Sequence, residues 1–212
     1  MKNLIKKLVP GLILDPIIKR RSERYIENML NEWSSKGKPF PVPHIVKQYC
    51  VNSFRERFQT DIFVETGTYK GDMIYAQCDN FKELYSVEVS PELFEKAKIR
   101  FADMKNITLI CGDSGNELHK LVPKLKTRTL FFLDGHFSSG ITSKGKLNTP
   151  VVEELAAIFD NNKDHVILVD DARCFNGESD YPTIEVVKEI VKKYDQNYCV
   201  EVEDDIIRIF KP

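Results

Sequence analysis

The stretch "YCVEVEDDIIRIF", residues 198–210, decides the fold. It reads as two short strands around Asp204 and Asp205, with no room between them for a crossover helix. Strands joined by so short a link are antiparallel. Upstream the pattern differs. From residue 61, "DIFVE", "ELYSVE", "ITLIC", "TLFFLD" and "HVILVDD" read as strands. Helical segments alternate with them: "DMIYAQC", "SPELFEKAKIRFADM" with Ser90 as cap, "SGNELHKLV", "TPVVEELAAIFDN" with Thr149 as cap, and "TIEVVKEIVKKY". Near-continuous apolar strands are buried on both faces, which marks a parallel sheet covered by helices. Five parallel strands plus the hairpin predict a doubly wound, mostly parallel α/β sheet of seven strands, with one strand reversed at the C-terminal end.

Ligands of open α/β sheets sit outside the carboxyl ends of the strands. Those ends are acidic here. Glu65, Glu88 and Asp134 close strands one, two and four, strand three leads into Asp113, and Asp170 and Asp171 close strand five. Acids gathered on one rim repel unless cations or hydrogen-bond donors answer them. The turn after strand one, "ETGTYKG", carries glycines at 67 and 71. Gly67 suits a tight or left-handed turn, and Gly71 lets the next helix start close to the sheet or a ligand. Thr68 and Tyr69 follow Gly67, so the G-x-G-x-x-G dinucleotide fingerprint is absent, and no Walker loop follows. Glu65 and Glu88 suit a ligand with a cationic amino group and a ribose. Taken by itself, the turn is equally a βα connection with a helpful glycine.

In order, "FVETGTYKGD", "LYSVEVSPELFEKA", "ITLICGDS" and "LFFLDGH" resemble the motifs of class I S-adenosylmethionine-dependent methyltransferases, over residues 61–210. The terminal hairpin also matches that Rossmann-like fold. The resemblance implies that the turn from Glu65 through Gly67, Thr68 and Tyr69 to Gly71 holds the methionine part of the cofactor. It also implies that Glu88 binds the ribose hydroxyls, that Asp113 and Ser114 sit near the adenine, and that Asp134 adjoins the cofactor.

A narrower resemblance is to metal-dependent O-methyltransferases of the catechol and macrocin kinds. In those, one Asp closes strand four and an acid pair closes strand five. Asp134, Asp170 and Asp171 occupy those places, and three carboxylates suit Mg²⁺. The ion would orient the acceptor hydroxyl and lower its pKa. Where the macrocin-type enzymes place a basic Asp, this chain has His136, whose imidazole suits proton removal at neutral pH. The competing reading makes Asp170 or Asp171 a helix cap and His136 a hydrogen-bonded loop residue. His44, His119 and His165 are assigned to structure or surface. The loop 137–150 is expected to be a polar lid, with Lys144 or Lys146 meeting an anionic substrate group. Arg173 and Tyr181 are expected on the opposite wall.

Residues 1–58 are expected to be a helical extension that caps a methyltransferase domain at 59–212. Its first helix covers residues 20–33, the segment "SSKGKPFPVPH" is a linker, and a second helix begins near His44. In that second helix Ile45, Val46, Tyr49, Cys50 and Phe54 recur at turns of three and four. The arm "MKNLIKKLVPGLILDPIIKR" is too broken by Pro10, Asp15 and Pro16 to span a bilayer. It reads as packed on the domain, with weak peripheral membrane contact as the alternative. A net charge of -1 lacks the basic footprint of a nucleic-acid binder. Five scattered cysteines without a CxxC pair argue against disulfides and zinc and for a cytoplasmic protein.

The expected activity is therefore O-methylation of a small molecule or a sugar or glycan, with homo-oligomerisation open. Two alternatives stay open. One is a nicotinamide-dependent oxidoreductase, since Glu88 follows the glycine turn at the spacing that family needs, although most dinucleotide-binding domains lack the reversed ending. The other is a non-catalytic binding module on the same fold.

Overall fold

The computed structural model describes residues 16–134, 149–161 and 163–212, with side chains from residue 24 onward. The basic arm through residue 15, His136, Lys144, Lys146 and most of the expected lid lie outside the described residues. The chain divides into two compact units, residues 1–46 and 47–212.

In the first unit, helix α1 (Pro16–Ser35) starts four residues earlier than its spacing predicts. Trp33, Val42 and Val46 are buried together, with Leu30 and Ile45 against them. The Trp33 indole donates to the Pro39 carbonyl at 2.9 Å, which satisfies its polar edge.

The elements that follow are α2 (His44–Phe58), β1 (Ile62–Thr66), α3 (Asp72–Gln77), β2 (Glu83–Glu88) and α4 (Pro91–Arg100). Then come β3 (Ile107–Cys111), α5 (Ser114–Leu121), β4 (Thr129–Leu133), α6 (Val151–Phe159) and β5 (Val166–Val169). The chain closes with α7 (Ile184–Tyr194), β6 (Cys199–Glu203) and β7 (Ile206–Phe210). One seven-stranded sheet runs β3-β2-β1-β4-β5-β7-β6. The first five strands are parallel, and β7 enters antiparallel between β5 and β6, with Ile167 opposite Ile209. The reversed hairpin read from residues 198–210 is thus present. Strands β1, β4, β5 and β7 are buried along their whole length. No residue of β3 is fully buried, because it is an edge strand with only β2 beside it.

The cap residues follow local chemistry. Ser90 accepts from the Leu93 N–H at the start of α4, and Thr183 does the same from Val186 for α7. Pro150, not Thr149, occupies the cap position of α6, and it has no side chain that could cap. The Thr149 hydroxyl instead accepts from the Val151 N–H at 3.3 Å.

Helix α2 fixes one side of the later site. Cys50, Val51, Phe54 and Phe58 are buried in the same cluster as Val166, Leu168, Ile206 and Phe210. Phe54 meets Phe210 edge-on at 5.4 Å, and Phe58 lies 5.4 Å from the same ring. Tyr49, expected on that face, is instead 53% exposed. Phe210 ends β7 and so lies near the amino end of β5. The eleven residues from Phe58 back to Lys47 span roughly 16 Å at ~1.5 Å per residue. That carries the start of α2 along β5 to the carboxyl edge of the sheet.

Candidate functional site at the carboxyl edge

On the β1–β2 side, the acids are met by groups of the chain's own backbone and hydroxyls. Glu65 is 2% exposed, and its Oε1 accepts from the Ser86 hydroxyl at 2.6 Å. Thr68 Oγ1 lies 2.5 Å from Ser86 Oγ and extends the same chain of hydroxyls. Burial pushes the Glu65 carboxyl up to about 8; the Ser86 hydrogen bond opposes this, and the charge of Glu88 adds to it. The turn itself is left-handed at Gly67 (φ 84°), Tyr69 (φ 47°) and Gly71 (φ 75°). That winding points the Tyr69 N–H at Glu88 Oε2, 2.8 Å away. Ser90 N–H takes Glu88 Oε1 at 2.8 Å. Glu88 is thereby locked in one orientation at the tip of β2, with lone pairs left for hydroxyl donors. Gly71 has a second reason to be glycine. A Cβ there would lie 2.6 Å from the Phe101 ring.

Past β3, Asp113 caps α5 by accepting from the Asn116 N–H at 3.2 Å. Ser114 is buried beside it. The structure adds Glu154 of α6, which is 1% exposed. Burial pushes its carboxyl up to about 7, against the hydroxyls of Ser114 and Thr66, which pull it down.

On the β4–β5 side, the acids are met by cations. Asp134 follows β4 and donates its backbone N–H to Thr66 O at 3.1 Å. Asp170 is fully buried after β5, and its carboxylate is ion-paired with the Lys47 ammonium. The same ammonium lies 3.8 Å from Asp171 Oδ1. Asp171, in the left-handed region at φ 55°, also accepts from Arg173 Nη1 at 2.8 Å. Arg173 in turn pairs with Asp205 from the β6–β7 turn, and its backbone N–H reaches Asp205 Oδ1 at 2.8 Å. The hairpin therefore braces the rim as well as closing the sheet. Burial alone would lower the Lys47 ammonium, but Asp170, Asp134 and Asp171 together hold it above the ordinary lysine range. Asp134 is pushed well up by burial and then by the charge of Asp170, and burial likewise raises Asp170. The Asp170 carboxylate also accepts from the Asp171 N–H at 2.9 Å, a bond to the next residue and not a helix cap; Asp171, which precedes the short turn 172–174, makes no side-chain cap hydrogen bond. Tyr181 packs on Phe175 at 5.4 Å, and burial pushes its hydroxyl up to about 12.

Lys47, Ser86, Glu154 and Asp205 escaped the sequence reading. Lys47 carried a usable signal: it precedes Val51, Phe54 and Phe58 by four, seven and eleven residues, so it lies on the buried stripe of its helix. A lysine on an apolar stripe needs a buried partner. His165 is structural, as expected: its Nδ1 accepts from the Thr129 N–H at 3.1 Å, and burial lowers the ring to about 4.

Comparison with solved structures places the fold. The Podospora anserina methyltransferase PaMTH1, solved with S-adenosylhomocysteine, superimposes with a TM-score of 0.54 at 17% identity, over 97% of this chain and 100% of that one. The fold is that of the S-adenosylmethionine-dependent methyltransferases. The O-methyltransferase TomG of Streptomyces achromogenes, solved with S-adenosylmethionine, gives a TM-score of 0.54 at 12% identity over 99% and 95% of the two chains. An rRNA methylase of Streptococcus thermophilus gives 0.50 at 16% identity over 82% and 98%. No family model matches the sequence. No curated protein matches it either.

Proposed function

We propose that the protein is an S-adenosylmethionine-dependent methyltransferase acting on a hydroxyl of a small molecule or sugar, with residues 59–212 carrying the cofactor. The observation that carries this reading is Glu88. Its two oxygens are fixed at the strand tip by the Tyr69 and Ser90 N–H groups, leaving lone pairs aimed past the glycine turn. A carboxylate held this way is a selective acceptor for a vicinal diol such as a ribose. Glu65, raised by burial, gains from a cationic ammonium nearby, which would draw its proton away. Gly67, Thr68, Tyr69 and Gly71 would wrap the methionine part, and Asp113 and Ser114 would border the adenine.

When bound, the cofactor supplies an activated methyl on a sulfonium. The chain's part is to align the acceptor oxygen behind that carbon, to exclude water and to take up the hydroxyl proton. His136 remains the residue proposed to take up the proton, and Asp134 a catalytic residue beside the cofactor and acceptor. Mg²⁺ does not fit the rim as arranged. Among the described residues no cluster of three His, Cys, Asp or Glu is set to hold a metal ion, and Lys47 already sits on Asp170. No step is therefore assigned to an ion.

The reversed β7 and the non-glycine residues after Gly67 favour this reading over a nicotinamide oxidoreductase. The net charge of -1 favours a small acceptor over RNA. All five cysteines are free thiols, in keeping with the proposed cytoplasmic setting. Among the described residues no helix is long and apolar enough to cross a membrane. Titration calorimetry with S-adenosylhomocysteine and NADH tests the proposal. Binding of the former and not the latter is expected; the reverse result sinks it.

A further inference from the structure

We infer that Lys47 is the resident cation of the β4–β5 rim, a tethered ammonium standing where a divalent ion was expected. The inference rests on the methyltransferase reading only for what the rim does, not for the ion pair itself. Its ammonium pairs with Asp170 Oδ2 and lies 3.8 Å from Asp171 Oδ1. The pairing is not a surface accident. The Lys47 side chain is 16% exposed and that of Asp170 0%. Lys47 is also held from behind, since Val51, Phe54 and Phe58 of the same helix are buried against β5 and β7. Asp171 carries a second protein cation, Arg173, at 2.8 Å. Two of the three expected metal ligands are thus already compensated from within the chain.

A divalent ion binds carboxylate oxygens at about 2.0–2.6 Å. It cannot approach Asp170 that closely while an ammonium occupies the same carboxylate, because the two cations repel at short range. The lysine stem, by contrast, brings its charge at no entropic cost of capturing an ion from solution, since α2 already places it. An acceptor hydroxyl seated at this rim would meet an ammonium already paired with carboxylates, which can orient it as a hydrogen-bond donor but brings no uncompensated positive charge. Methyl transfer on this chain is then independent of added metal.

The test uses Mn²⁺ as a probe, with the full chain, followed by calorimetry and by electron paramagnetic resonance of the free ion. Wild type is expected to take up no stoichiometric Mn²⁺ at millimolar concentration. Lys47→Met is expected to bind it at least about tenfold more tightly, a difference of ~1.4 kcal/mol. Adding Asp170→Asn to that variant is expected to remove the gain. Stoichiometric Mn²⁺ binding by wild type that Asp170→Asn abolishes overturns the inference. So does Mn²⁺ affinity in Lys47→Met no higher than in wild type. Lys47→Gln repeats the comparison if the methionine variant does not fold. S-adenosylhomocysteine binding, measured on the same samples, separates the two claims. Its absence would remove the methyltransferase reading and leave the cation assignment standing.

Discussion

The two halves of the rim meet the same problem, an acid at the tip of a buried strand, by different means. Glu65 and Glu88 are satisfied by neutral dipoles: a serine hydroxyl, and backbone N–H groups that a left-handed turn aims inward. Asp170 and Asp171 are satisfied by full charges, Lys47 and Arg173. Neutral donors fix a carboxyl group's orientation while leaving spare lone pairs available to a ligand. Cations cancel the charge and occupy the carboxylate. The first half is therefore the one that suits the polar, cationic cofactor proposed above. The second is built to stay closed to further cations and to hold its geometry. The difference also shows in where the partners come from. Those of the first half lie within about twenty-five residues of the acid along the chain, whereas Lys47 lies 123 residues from Asp170.

Breaking the second half should cost most. Asp170→Ala leaves the Lys47 ammonium without its main partner in a mostly buried place. A loss of about 3–5 kcal/mol in urea unfolding is expected. A loss below about 1 kcal/mol would mean that the pair is solvent-screened, and the contrast between the halves would fail.

The first half should reveal itself through pH. Glu65 has its folded pKa raised from 4.5 to about 8, so the folded state binds the extra proton between those values. The stability it contributes is full below about 4.5 and is lost as pH rises toward 8. Glu154, raised to about 7, acts in the same direction. Thermal or urea midpoints of the cofactor-free protein should therefore fall between pH 5 and 8, by on the order of a few kcal/mol in total. Glu65→Gln should flatten that slope. An unchanged slope would show that Glu65 does not titrate there.

Next comes Glu88→Ala. It removes the proposed diol acceptor and should weaken S-adenosylhomocysteine binding about tenfold or more, near the ~1.5–3 kcal/mol of a hydrogen bond to a charged group. Its effect on stability should be smaller than that of Asp170→Ala, because the N–H groups it frees lie at the rim. The smallest expected effect is that of Gly71→Ala. The added Cβ would lie 2.6 Å from the Phe101 ring at a left-handed φ of 75°. A destabilisation of roughly 1–3 kcal/mol is expected, together with weaker cofactor binding. A neutral result would show that Phe101 yields freely.

Much of the fold was legible in the sequence because its signals are local. Apolar runs ending in Glu65, Glu88 and Asp134 give strands, and Ser90 marks a helix start within a turn, whereas Thr149 missed its cap by one residue. The reversed strand was legible because Asp204 and Asp205 leave no length for a crossover. The acids on the rim could be counted for the same reason, since a parallel sheet puts every strand's carboxyl end on one edge. What answers each acid could not be read. Ser86 is a mid-strand residue like any other until β1 and β2 pair in register, with Glu65 opposite Ser86. Arg173 became a brace only when the hairpin brought Asp205 beside it. The metal reading turns on the same point: three aspartates at the expected spacing look alike whether an ion or a lysine faces them.

The sequence by itself determined the order of strands and helices, the reversed ending, and which strand tips carry carboxylates, because these follow from periodicity and chain length. Only the tertiary structure decided the electrostatic character of each half of the rim. A carboxylate's charge, pKa and availability depend on what lies within a few ångströms. For Asp170 that neighbour is Lys47, delivered by a helix whose aromatic face is buried with the far end of the sheet.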